Sequence, residues 1–335
     1  MRAIGTRGPG GRLPTSLVLV GVVLLSACNL SAVGAGAPTE VPRPALPATS
    51  TPIPIPFVLL LESDESGAVE PALRGWAQGR GWLVERRPAS QAGLAEGLGL
   101  PGLAAIVSMG EVPGVRESFD GPVIVVNGQD DPTAGRLSTI GSPDARYDQL
   151  GFLAGALAGL VSRNWSVGLV TETGGAQETV IRAGFVHGLR YACPGCRLTE
   201  LPVSQLSRDA LVVQGVDVVF ALPGPAAEEA AGSLEEAGFW VVWSGGDPAP
   251  ASWDHLAGEI ALTADGLIAL ALEALLAGSQ GQAWPYSVEN GSLAVSRLNP
   301  AALSPGRERL LQDLVAALSS DQLEIGIDPA TGEER

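Results

Sequence analysis

From residue 57 onward, short runs that are apolar along their whole length alternate with longer amphipathic ones. FVLLL (57–61), WLVE (82–85), AAIVS (104–108) and VIVVN (123–127) are of the first kind. A strand without polar alternation must be covered on both faces, which is the condition of a parallel sheet packed between helices. AVEPALRGWAQGRG, after the first run, reads as such a helix with glycine as its stop signal. RYDQLGFLAGALAGLVS (146–162) is a further helix and opens a second block. Its strands are SVGLVT (166–171), RLTELPV (197–203), VDVVFAL (216–222) and FWVVWS (239–244), with helices at about 175–191, 206–214 and 225–237. The expected fold class is α/β, with two doubly wound parallel-sheet lobes. Such lobes place a ligand cleft between them, at the carboxyl ends of the strands.

The pattern changes after residue 245. A helix over 264–278 precedes AWPYSVENGSLAVSRL, which reads as a hairpin turning at Asn290 and Gly291. A helix over 305–319 and a short strand, LEIGI (323–327), follow. This tail is too small for a third domain and is expected to cross back and complete both lobes. The boundaries are lobe 1 over 57–142, completed by about 246–300, and lobe 2 over 143–245, completed by about 301–335. Gly151, Gly155 and Gly159 recur at spacing four on the 146–162 helix. In lipid this would be a dimerisation face. In a folded domain it reads as a face that lets the helix approach a sheet closely.

The first 56 residues have another character. Arg2, Arg7 and Arg12 precede an apolar run, SLVLVGVVLL (16–25), shorter than the roughly 20 residues a spanning helix needs. LSAC (25–28) follows and resembles a bacterial lipobox. Residues 1–27 are therefore expected to be a lipoprotein signal peptide and Cys28 the lipidated residue. The plainer reading is an ordinary signal peptide with a chance cysteine. Residues 28–56, rich in Pro, Ala, Thr and Ser without hydrophobic period, read as an extended tether. The expected location is the extracytoplasmic face of the cell membrane, held through the Cys28 lipid anchor.

Loss of the three leader arginines takes 20 basic residues to 17 against 36 acidic ones, a balance of −19. Nucleic acid wants the opposite charge and is excluded as a partner. All 20 basic residues are arginine. Schiff-base chemistry, a P-loop lysine and a Ser–Lys pair are thereby ruled out. The two histidines, His187 and His255, stand 68 positions apart, and His187 reads as a helix-surface residue. No H-E-x-x-H or G-x-S-x-G motif is present, so neither an enzyme nor a cofactor is expected.

YDQLGFLAGALAG, SVGLVTE, AGFVHGLRYACPGCRL and GVDVVFALPGPAAEEAAGSLEEAGFWVVWSGGD, in that order, resemble the basic membrane protein family. These are lipoprotein substrate-binding components of ABC importers, with a type I periplasmic-binding fold. The resemblance covers about 143–247, with LEIGI in support. It implies a small-molecule ligand held between the lobes and an ABC permease as partner; a monomer is expected. Characterised branches bind purine nucleosides. Asp64, in ESDESGAVE, falls where the family carries an Asp-x-x-Phe-Asn-like segment, and Asp247 matches the second Asp of a Gly-Val-Asp-Ser-Asp-like run. The aromatic and Asn of the first segment are missing, Gly245 replaces the first Asp of the second, and the lysine some members use is absent. The resemblance therefore implies a scaffold and a small polar ligand, with nucleosides and other sugar-bearing molecules as candidates.

Loops at strand carboxyl ends supply the candidate ligand-binding residues: Asp64, Ser66, Met109, Asn127, Glu172, Thr173, Trp243 and Asp247. TETGGAQE also opens a helix, whose free N–H groups can hold an oxygen-rich group. The plainer reading is that Thr173 caps that helix, with Glu178 in its first turns. Trp243 or Trp253 can offer a flat apolar face to a ligand, while the run FWVVW equally predicts core packing for Trp243. Asp247 can accept protons from sugar hydroxyls, or simply occupy an Asp-Pro turn.

Cys193 and Cys196 flank Pro194 and Gly195. Reactive C-x-x-C pairs sit at helix N-termini, whereas this pair follows a helix, where the dipole disfavours a thiolate. Zinc lacks a second pair of ligands. In an exported chain with Cys28 lipidated, the remaining pair is expected to form a disulfide across a Pro-Gly turn. The leading expectation is thus a membrane-anchored substrate-binding lipoprotein of an ABC importer. The alternatives are a ligand-sensing or scaffold lipoprotein of the same fold, and a thiol redox protein built on Cys193 and Cys196.

Overall fold

The structure, a computed structural model, describes residues 53–62, 69–128, 135–141, 145–172, 174–245 and 248–335. They belong to one compact unit, Ile53–Arg335, whose strands form two six-stranded sheets.

The first sheet is parallel throughout. β1 (Phe57–Glu62) lies between β2 (Leu83–Pro88) and β3 (Leu103–Met109), and β4 (Val123–Val126) and β5 (Leu137–Ile140) extend the sheet beyond β3. The register sets Phe57 against Leu83 and Ile106 against Val123. Every residue of β1 is buried, because both faces are covered. Val58 and Leu60 enter a cluster with Leu73 and Ala77 of α1 (Val69–Gly79). Leu59 and Leu61 enter another with Leu94 of α2 (Gln91–Leu98) and Val115 of the short α3 (Val115–Ser118).

α4 (Tyr147–Val161) begins the second lobe. β6 (Ser166–Thr171), α5 (Ala176–Ala192) and β7 (Arg197–Pro202) follow, then a 3-10 turn at Val203–Gln205 and α6 (Arg208–Val213). β8 (Val218–Ala221), α7 (Pro225–Glu236) and β9 (Trp240–Trp243) complete the expected block. β10 (Leu256–Leu262) lies parallel to β9 in the same sheet. α8 (Asp265–Leu276) packs on the first lobe, where Leu267, Ile268 and Leu272 join the cluster of Val58 and Leu60. β11 (Ala283–Trp284) adds to β5 in the first sheet. β12 (Leu293–Ser296) then returns antiparallel to β10, and α9 (Pro305–Ser319) packs Leu311, Leu314 and Leu318 into the second-lobe core.

The fold class is as the apolar alternation implies, with β12 the one antiparallel strand among the described residues. Four local expectations are corrected, the last of them in the packing of α4. The stretch at about 246–300 is divided between the lobes, since β10 and β12 belong to the second sheet and α8 and β11 to the first. For the same reason AWPYSVENGSLAVSRL is no hairpin: a tight turn does form at Asn290 and Gly291, but its flanks join different sheets. LEIGI forms no strand; Gly326 turns to φ 80°, and a lone bridge joins Ile327 to Glu334.

The glycine face on α4 meets a helix rather than a sheet. A Cβ on Gly151 or Gly155 would collide with the carbonyl of Ile181 or Phe185 in α5. Reciprocally, a Cβ on Gly184 or Gly188 of α5 would collide with the carbonyl of Asp148 or Phe152 in α4. Two small-residue faces with the same spacing thus bring the two backbones into contact.

Candidate functional site

The chain passes between the lobes three times, from β5 to α4, from β10 to α8 and from β11 to β12. Each passage leaves a parallel strand at its carboxyl end: β5 at Ile140, β10 at Leu262 and β11 at Trp284. Both sheets therefore turn their carboxyl ends toward one interlobe cleft. The passages are tied together. The Gly141 N–H donates to the Trp284 carbonyl (2.9 Å), that of Arg146 to Tyr286 (2.8 Å) and that of Thr263 to Ser292 (2.8 Å). The Arg146 guanidinium grips Asp148 through two bonds, at 2.8 and 2.7 Å, and Asp148 is 1% exposed. That bond to Asp148 raises the Arg146 pKa above its ordinary range. The Gln149 carboxamide accepts from the Val288 N–H at 2.9 Å and donates to Glu289. A cavity of about 420 Å³ opens beside this joint, bounded by Arg146, Glu289, Asp321 and Arg335.

On the first lobe, Met109 ends β3 partly packed on the core, and the Ser108 hydroxyl donates to the Gly110 carbonyl at 2.7 Å. Asn127, just past β4, is exposed and adopts φ 56°, a left-handed geometry that asparagine tolerates better than most residues. Its N–H donates to Ile140 at 2.7 Å. Gly141 is required beside it, because a Cβ there would lie 2.6 Å from both Asn127 Oδ1 and the Tyr286 ring. Glu62 ends β1 fully buried, 3.3 Å from the Arg86 guanidinium, which also reaches Glu70 at 3.6 Å.

On the second lobe carboxylates bond the backbone at and just before two helix starts. Glu172, past β6, accepts from the Ala227 N–H at 2.8 Å and so caps α7. Glu178, in the first turn of α5, accepts from the N–H groups of Glu172 (3.1 Å) and Gly174 (2.5 Å). Glu178 thus ties down the loop ahead of α5, while no side chain caps the helix itself at Gly175. Glu172, Glu178, Leu222 and Pro223 line a cavity of about 190 Å³ at this lip. Trp243 is 7% exposed in the second-lobe core, edge-on to Trp253 at 5.1 Å, which is the packing role that FWVVW predicts. Of the expected ligand residues, Met109, Asn127, Glu172 and Trp243 are described, and all four lie at strand carboxyl ends, Trp243 with its ring in the core. Asp64, Ser66, Thr173 and Asp247 lie outside the described residues, as does Cys28.

Cys193 and Cys196 form a disulfide with Cα atoms 5.3 Å apart, at the C-terminus of α5. His187 is partly buried rather than a surface residue: Nδ1 lies 3.0 Å from the Ile325 carbonyl and Nε2 3.4 Å from Glu334. It fastens the C-terminal tail, a role that no local motif signals. Among the described residues no His, Cys, Asp and Glu group could hold a metal ion, and no helix is long and apolar enough to cross a membrane.

This two-lobed α/β arrangement around a cleft is periplasmic-binding-protein-like. No protein-family model and no curated protein sequence matches the chain. Solved structures do. An ABC transporter solute-binding protein from Conexibacter woesei aligns with a TM-score of 0.60 at 16% identity, covering 81% of this chain and 98% of its own. One from Aeropyrum pernix gives 0.54 at 13% identity, over 81% and 93%. A transcriptional activator of the comK gene from Bacillus halodurans gives 0.58 at 15% identity, over 81% and 99%. At such identities the likeness is one of fold.

Proposed function

We propose that the chain is a lipid-anchored substrate-binding protein of the basic membrane protein type, which closes two lobes on a small polar ligand and presents it to an ABC permease. The observation that carries this reading is the cleft: two sheets turn their carboxyl ends to one gap, bridged by three mutually bonded passages. That geometry lets two rigid lobes close on a solute. The export leader, the lipobox at Cys28 and the tether support the location.

The second-lobe lip narrows the ligand's chemistry. Glu172 caps α7 there, and Glu178 holds the loop that precedes α5. An ionised carboxylate only accepts hydrogen bonds, through about four lone-pair sites. Ligand hydroxyl or ammonium donors suit it, and phosphate or carboxylate groups are repelled. With the exposed Asn127 amide at a strand end of the first lobe, a hydroxyl-rich neutral molecule such as a nucleoside or sugar fits best.

A thermal-shift screen of nucleosides, bases and sugars, each beside its phosphorylated counterpart, tests this. A true ligand at 100 times its Kd should stabilise the fold by about 2.7 kcal/mol, and its phosphate ester should not. Stronger stabilisation by the esters would overturn the ligand class. If no compound stabilises the protein, the same fold serves a sensor or scaffold without transport.

A further inference from the structure

The strand-start pole of the first lobe differs from the rest of the molecule in charge and polarity. It is built by residues 53–56, 80–82, 99–102, 119–122, 135–136 and 277–282, where the strands of the first sheet begin. Two arginines, Arg80 and Arg136, stand here against two carboxylates, Asp120 and the exposed Glu273 that pairs with Arg80 and the Trp76 indole, so the pole carries no net charge in a chain with 36 acidic residues. Apolar side chains project from the same pole. Ile53 is 91% exposed, Ile55 57%, Leu83 50% and Leu100 36%. The isoleucines belong to backbone that is held in place: the Leu83 N–H donates to the Pro56 carbonyl at 3.0 Å, and a Cβ on Gly102 would meet Ile55 and Pro54. Trp76 and Trp82 pack edge-to-face behind them at 5.7 Å, with the Arg80 guanidinium 5.1 and 6.0 Å from their ring centres.

Indole rings, exposed aliphatics and long cationic side chains on a surface without net charge match the water–lipid boundary, where amphipathic rings and long cationic side chains settle. The position agrees with the charge. On the anchor reading proposed above, on which this inference rests, residues 28–52 lead from the lipid to Ile53, at this pole. We infer that the strand-start pole of the first lobe is a membrane-contacting face, which rests in the headgroup region of the bilayer.

The full-length lipidated protein in phosphatidylcholine–phosphatidylglycerol vesicles provides the test. With Cys28 lipidated and Cys193 and Cys196 paired, an introduced cysteine is the one thiol open to a fluorescent label. Leu83→Cys and Leu100→Cys report the pole, two independent positions in case one variant folds poorly. Val213→Cys, 82% exposed on the second lobe, is the reference. Brominated lipids quench only labels at the boundary. At least about twofold stronger quenching at 83 or 100 than at 213 is expected for a face that sits at headgroup depth. Equal quenching, or shielding from aqueous iodide without lipid quenching, would overturn the inference, the latter pointing to a protein partner. Vesicle flotation of the same samples reads the anchor separately, so a failed anchor and a failed docking face give different results.

Discussion

Glu172 serves the fold directly and, on the proposed reading, ligand selection as well. It lies 55 residues before the helix it caps, and its bond to the Ala227 N–H is a charge-assisted cap on α7. Glu172→Ala should cost about 1 kcal/mol, read as a lowered denaturation midpoint. It should also relax the discrimination against phosphorylated ligands, measured by titration calorimetry. Glu178 was legible as a helix-start residue from TETGGAQE, but a partner so remote as Ala227 leaves no local trace for Glu172. The cysteine pair was legible, because export, spacing and the Pro-Gly centre all bear on the same few residues. Serine at both Cys193 and Cys196 should lower stability by about 2 kcal/mol, the cost of opening so short a loop, and leave ligand binding intact. Glu273 gives a pH signature. The Arg80 bond, then the Trp76 indole N–H, hold it below its ordinary 4.5. A depressed carboxylate stabilises the fold above its unfolded pKa, and that share is lost as pH falls through the folded one. Glu273→Gln should therefore flatten the fall of Tm below about pH 4.5.

At the scale of elements, packing between α4 and α5 decides more than propensity does. Their glycines recur every four residues and face each other's carbonyls, so there is no room for even one methyl group. Gly188→Ala should destabilise by about 1–3 kcal/mol, as overpacking against backbone does. Gly75 in α1 is the opposite case: nothing lies within 4 Å of its would-be Cβ. Gly75→Ala should stabilise by roughly 0.5–1 kcal/mol through helix propensity alone, and the contrast in sign is read from two denaturation curves. The spacing of Gly151, Gly155 and Gly159 announced a close approach; its partner was hidden because Gly184 and Gly188 sit 25 or more positions further on, in a helix with a polar face. β5 and β10 escaped the sequence for a related reason. LSTI carries two polar residues, and LAGEIAL is interrupted by Gly258 and Glu259, so neither shows a continuous apolar run. In the fold Ser138 and Thr139 are nevertheless buried, and Glu259 is covered by Arg297 at 3.4 Å.

At the scale of the whole molecule, two lobes were legible because each needs its own covered sheet, while the path between them was not. Segments of 10–20 residues change lobe twice between 262 and 293 with no break in composition, and only strand pairing reveals which sheet each joins. The joint so formed can be probed through Arg146. Its guanidinium pairs with the buried Asp148 and lies 3.7 Å from Glu289 on the last passage, so one side chain touches two of the three. Arg146→Met would strand Asp148 and should cost about 3 kcal/mol. Arg146→Lys keeps the charge but not the two-pronged geometry and should recover only part of it. Arg190→Met removes an exposed arginine 3.9 Å from Glu334 and should stay within about 0.5 kcal/mol. Stability alone would not separate a joint from an ordinary buried pair, but ligand affinity does. A lobe-closing protein binds in proportion to the fraction of molecules able to close, so a change at the joint alters the apparent Kd. Gly188→Ala, inside one lobe, should lower stability and leave Kd as it was. If Arg146→Met and Gly188→Ala prove alike in affinity once both are measured well below their melting points, the three passages do not govern closure.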